Sequence, residues 1–167
     1  MRGFLYGLFL ALLALSVVSC KTTPPPPPSY ERNAVQLHLV SDPNLNLFGG
    51  IPHTVVLCVY QLRDPNAFNQ AMDEKEGLVK LLECNRFDPS VTYVKKVVVQ
   101  PRQELTEPLD RAEGTRYVGV VAGYSQLQKE RVTRFYAIPF SVFGNPKPLD
   151  IDLYLGPQEI QEPRAAK

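Results

Sequence analysis

"TVVLCVYQL", Thr54 to Leu62, is the stretch on which the fold depends. Val55, Leu57 and Val59 fall on one side of an extended chain, and Val56, Cys58 and Tyr60 on the other. Side chains alternate across a strand, so a segment apolar on both sides predicts a central strand covered on both faces. Upstream, Val35, Leu37 and Leu39 alternate with Gln36 and His38 over Val35 to Val40, which predicts a strand with a single apolar face. Downstream, Thr92 to Val99 reads as a strand ended by Pro101, and Arg102 to Thr106 as a short edge piece. Tyr117 to Tyr124, Arg134 to Ile138 and Leu149 to Leu155 supply the remaining strands, and Gly119 and Gly123 predict a bulge or a close approach to the backbone. Short Val-, Tyr- and Phe-rich segments between Pro, Gly and Asn indicate an all-β sandwich or barrel. One stretch breaks the pattern. Asp64-Pro65 is a helix start, Phe68, Ala71 and Met72 share a helical face, and Leu78, Leu81 and Leu82 share another beyond Gly77, so one or two short helices interrupt the strands.

The chain begins differently. After Arg2, Phe4 to Val18 is apolar except for Gly7 and Ser16, and a run of about 15 residues is shorter than the ~20 a spanning helix needs. A positive start, an apolar middle and small residues at the end read as an export signal. Val17-Val18-Ser19-Cys20 resembles the lipobox of bacterial lipoproteins, in which cleavage leaves the cysteine as the first residue, carrying diacylglycerol on its thiol and an N-acyl chain. Lys21 in place of Asp then implies sorting to the outer membrane, facing the periplasm. Pro24 to Pro28 favour polyproline II, at about 3.1 Å per residue, so Cys20 to Asn33 spans roughly 40 Å if extended. A proline-recognition ligand is the alternative for this stretch. The expected organisation is a signal peptide at 1–19, a lipidated N-terminus and tether at 20–33, a sandwich domain at 34–156 and a flexible tail at 157–167.

Chemistry is sparse. Losing residues 1–19 removes Arg2 alone among the charges, leaving 17 Lys and Arg against 17 Asp and Glu, a balance that argues against a nucleic-acid partner. Neither His38 nor His53 stands in a metal-ligand spacing, and no nucleophile elbow, phosphate loop or nucleotide fingerprint occurs, so no catalytic residue, metal, cofactor or small-molecule substrate is expected. Beyond Cys20 the only thiols are Cys58 and Cys84. In an oxidising compartment they either pair, for about 3.5 kcal/mol in the loop-entropy model, or remain two buried free thiols.

Between the first two strands lies "SDPNLNLFGGIPH", Ser41 to His53, 13 residues where two to five are usual for a hairpin. Asp42-Pro43-Asn44 starts a turn, Gly49-Gly50 permits positive φ, and Leu45, Leu47 and Phe48 are large apolar groups. They either fold back onto the core or meet a partner.

The lipobox, the proline tether, "DPNLN", "HTVVLCVYQLRDPNAF" and "RYVGVVAGY", in this order, resemble the TssJ family, outer-membrane lipoproteins of the type VI secretion system. The resemblance spans about Val35 to Leu155. It implies a two-sheet, transthyretin-like β-sandwich with one or two added helices, and a structural role without catalysis: anchoring the membrane complex by binding the periplasmic domain of TssM. It also places the contact in the loop between the first two strands, at Asn44, Leu45, Asn46, Leu47, Phe48, Gly49 and Gly50. Aspartate at Leu45 or Phe48 is then expected to weaken binding with little change in Tm. The alternative is an envelope lipoprotein of similar fold that binds a ligand or assists another envelope machine.

Overall fold

The computed structural model describes residues 27–161; Cys20, the signal segment, the first prolines and residues 162–167 lie outside them. Eight strands form two four-stranded sheets, the sandwich that was one of the two all-β architectures the strand pattern allowed and the one the resemblance implied. The first sheet has the order β4-β1-β7-β8, built from β1 (Glu31–Ser41), β4 (Glu104–Arg111), β7 (Leu149–Leu155) and β8 (Ile160–Gln161). The second has the order β3-β2-β5-β6, from β2 (Val55–Leu62), β3 (Val91–Val99), β5 (Tyr117–Ala122) and β6 (Thr133–Ala137). All pairings are antiparallel except β1 with β7, where Val35 lies opposite Leu149 and Ser41 opposite Leu155.

β2 is central and buried on both faces. Val55, Leu57 and Val59 join Val35, Leu37 and Leu39 in the core between the sheets. Cys58, Tyr60 and Leu62 face a second cluster under the helices α1 (Asn66–Asp73) and α2 (Gly77–Leu81). There the Phe68 ring leaves no room above Gly119, where an added Cβ would stand 2.5 Å from Phe68 Cζ. This is the close approach expected of that glycine. The Tyr60 hydroxyl donates to the Leu81 carbonyl, and burial is the main reason its pKa is pushed up to about 12. A disulfide joins Cys58 on β2 to Cys84 just past α2, with Cα atoms 5.1 Å apart, and so ties the helical layer to the central strand. Removing it by Cys58→Ala with Cys84→Ala should cost about 3 kcal/mol, roughly 10 °C in Tm. Thermal denaturation measures this, and two reactive thiols per denatured, unreduced mature chain would contradict the bond.

Side chains bridge the two sheets at both open sides of the sandwich. Lys95 on β3 pairs with Glu107 on β4 at 2.6 Å, and Arg134 on β6 donates to the Ile160 carbonyl of β8. At one end Gln61 is wholly buried between the sheets, donating to the Asp110 carbonyl at 2.7 Å and accepting from the Ala112 amide at 2.8 Å. A buried amide satisfied this way fixes the relation of β2 to β4.

Several boundaries differ from the sequence-based expectation. The domain begins before residue 34, because β1 starts at Glu31 and Pro28 is buried, its carbonyl accepting from Gly114 at 2.7 Å. Tyr30 donates to Asp110, which also accepts from the Asn33 amide at 3.0 Å; these two bonds, Tyr30's first, hold the Asp110 carboxyl below the usual carboxylate range. Glu31 pairs with the buried Arg111 guanidinium at 2.7 Å. The residues from Pro28 to Asn33 therefore belong to the folded domain and not to the expected tether. Nor is the tail free from residue 157, because Ile160 is buried and Glu159 accepts from Tyr124 and from Arg131. β4 is longer than expected and contains Pro108, tolerated because an edge strand pairs on one side only. A third helix, α3 (Lys129–Val132), was not foreseen.

Candidate functional site

The pairing registers orient the whole molecule. Glu31, Arg111 and Leu149 of one sheet and Leu62, Tyr117 and Ala137 of the other lie at the end where the chain enters. Ser41, Glu104 and Leu155, with Val55, Val99 and Thr133, lie at the opposite end, about 35 Å away along the 11 residues of β1. The loop from Ser41 to His53 belongs to this second end.

That loop divides into a rooted half and a projecting half. Its root begins at Asp42, whose amide donates to the Leu155 carbonyl at 2.8 Å and whose carboxylate accepts from the Asn44 amide and the Tyr154 hydroxyl. The resulting Asx turn sends Leu45 inward, to 0% exposure in the core between the sheets. Asn46 is also buried, with φ of 46°; its amide nitrogen donates to the Thr54 carbonyl at 3.3 Å and its oxygen accepts from the Ser125 amide at 2.8 Å. Asn tolerates this left-handed conformation better than other side chains. Leu47 is half-buried, and its amide donates to the Pro157 carbonyl. Leu45 and Asn46 thus form the footing of the loop, and they cannot themselves offer a contact surface.

The projecting half is a two-residue hairpin. Phe48 and Ile51 exchange both backbone hydrogen bonds at 3.0 Å, and Gly49 and Gly50 between them have φ of 58° and 79°. Positive φ at both central positions is what a type I′ turn requires, and it explains the Gly-Gly pair. Phe48 is 64% exposed and Ile51 63% exposed, both large apolar side chains. His53 packs edge-on to Phe48 at 6.4 Å. Ile51 escaped the sequence-based expectation; its position directly after the paired glycines, opposite Phe48, was the available signal.

A family model for the type VI secretion lipoproteins VasD, EvfM and TssJ matches residues 33–155. The chain belongs to the type VI secretion lipoprotein family. Its fold is similar to the lipoprotein TssJ1 of Pseudomonas aeruginosa, with a TM-score of 0.60 and 24% identity over 84% of this chain and all of the other. It is likewise similar to Lip of Serratia marcescens, described as a membrane-bound component of the type VI secretion system, with a TM-score of 0.58 and 18% identity over 83% of this chain and all of the other. A chain in a structure described as the TssM C-terminal domain (869–1107) from EAEC is similar at a TM-score of 0.60 and 17% identity, over 76% of this chain and 94% of that one. No curated protein matches in sequence.

Elsewhere, among the described residues, side chains at one cleft are engaged with one another. This cleft, of about 460 Å³ along the β3 and β4 edges, is lined by Tyr30, Tyr93, Lys95 and Asp110; Tyr30 serves Asp110 and Lys95 serves Glu107. Among the described residues no group of three or more His, Cys, Asp or Glu could hold a metal ion, and no helix is long and apolar enough to cross a membrane.

Proposed function

We propose that this lipoprotein anchors the type VI secretion membrane complex at the outer membrane by gripping the periplasmic domain of TssM with the hairpin tip Phe48–Ile51. The observation that carries the reading is the exposure of two large apolar side chains on a braced two-residue turn. Such a tip loses little conformational freedom on binding, so its apolar area is available for affinity. Asn44, Leu45, Asn46 and Leu47 act as its footing, Gly49 and Gly50 as its turn, and Phe48 with Ile51 as the inserted anchors. The role requires no catalysis and no cofactor beyond the covalent lipid on Cys20.

Placement supports the same mechanism. The chain enters at one end of the sandwich and the tip occupies the other. A lipid on Cys20 therefore attaches the domain by the end opposite its tip, leaving the tip accessible to a partner rising through the periplasm. With Pro28 already docked, eight residue steps remain between Cys20 and the domain, a reach of roughly 25 Å.

The test is co-purification of the lipidated chain with the TssM periplasmic domain from outer-membrane fractions. Cys20→Ala should leave the fold intact while lowering the outer-membrane share at least about tenfold, since stable anchoring needs two or more chains. A Cys20→Ala protein that still fractionates with outer membranes would overturn the anchor.

A further inference from the structure

The connection from β6 to β7, Ile138 to Pro148, carries a second apolar tip. Lys147 donates its amide to the Pro139 carbonyl and Ser141 to the Asn145 carbonyl, both at 2.8 Å, so the segment folds back on itself as a ribbon. Phe140 packs against the main core at its base. At its turn Val142 is 95% exposed and Phe143 88%, beside Gly144 with φ of 77°. No packing or hydrogen bonding among the described residues requires bulky apolar groups there. The 11 residues include no Asp or Glu and one cation, the exposed Lys147.

Position identifies the occupant. The ribbon leaves β6 at Ala137, paired with Tyr117, and enters β7 at Leu149, opposite Val35, so it belongs to the end where the chain enters. That is the end from which the short segment to Cys20 departs, and it is opposite Phe48 and Ile51. We propose that Val142 and Phe143 insert into the bilayer that holds the Cys20 lipids, as a second membrane contact of the same protein. The inference rests on the anchor reading above. Two apolar side chains enter the headgroup and acyl boundary while Lys147 reaches the phosphates, which suits an interface of anionic and zwitterionic lipid. Two points of attachment then fix the orientation of the sandwich, whereas a tether alone leaves it free to rotate.

The chain has no tryptophan, so Phe143→Trp supplies a single fluorophore, with Phe48→Trp as its counterpart at the other end. The lipidated mature chain, beginning at Cys20, is reconstituted in phosphatidylethanolamine and phosphatidylglycerol vesicles containing brominated acyl chains. At position 143 at least about half of the emission should be lost, with a blue shift, and at position 48 none, given the 5–10 Å depth of interfacial insertion. A chain that floats with the vesicles but whose emission at 143 is as unquenched as at 48 overturns the tip contact and leaves the anchor standing. A chain that does not float overturns the anchor and the tip with it. Loss of TssM binding in Val142→Ser with Phe143→Ser, with no quenching at 143, would reassign the tip to a protein partner and overturn the proposal.

Discussion

Phe48→Asp combined with Ile51→Asp should weaken binding to the TssM periplasmic domain at least about 100-fold, while the Tm stays within a degree or two. Each side chain is nearly two-thirds exposed, so replacing it disturbs little of the folded domain, and surface substitutions of this kind stay within about 0.5 kcal/mol. At an interface the same side chains count differently. An apolar anchor seated in a partner pocket carries about 2 kcal/mol or more, and each 1.4 kcal/mol is tenfold in affinity. Aspartate adds the cost of burying a carboxylate against apolar surface. Calorimetry or surface binding with the purified domains measures the affinity, and unimpaired binding by the double variant would remove the tip from the interface.

Leu45→Asp, three residues earlier in the same loop, should have the opposite profile and abolish the fold. Leu45 is fully buried among Val35, Leu37, Val55 and their neighbours. Truncating a buried leucine to alanine costs about 2–5 kcal/mol, and an unpaired buried carboxylate costs several more. Set against the 5–15 kcal/mol that stabilises a domain in total, the variant should accumulate as unfolded or aggregated protein. Leu45→Ala should instead fold with a lowered Tm and retain TssM affinity, because the tip it supports is unchanged. A Leu45→Asp protein melting within about 5 °C of the parent would contradict the burial. This reverses the expectation, drawn from the family resemblance, that aspartate at Leu45 would spare stability and impair binding; folding back onto the core was one of the two fates that the loop's composition left open.

The contrast between Leu45 and Phe48 shows where the sequence stops being legible. β2 was readable because its alternation has a fixed period: every second residue lies on the same face, and both faces of Val55 to Leu62 are apolar. The same rule found β1, β5 and β7. A loop has no period. Leu45, Leu47 and Phe48 are chemically alike, and their fates diverge only because Asp42 turns the chain inward and Asn46 is clasped between Thr54 and Ser125. Ser125 lies 79 residues from Asn46, so the clasp has no local signature. The short edges failed for a related reason. β8 is two residues long, too brief for any pattern, and Glu31 to Asn33 become strand because Arg111 and Asp110 on β4 hold them.

By itself, then, the sequence determined the class of this protein: strands from two-residue periodicity, a helical interruption from the change of period after Asp64, and membership of the type VI secretion lipoprotein family from its motifs. Those properties are local, and local order of side chains is enough to specify them. Only the tertiary structure decided that β7 runs parallel to β1. That pairing places the entering chain and the Val142-Phe143 ribbon at one end of the sandwich and the Phe48–Ile51 tip at the other. Such an arrangement depends on which strands pair and in which direction, a choice made by packing residues more than 100 positions apart into one core.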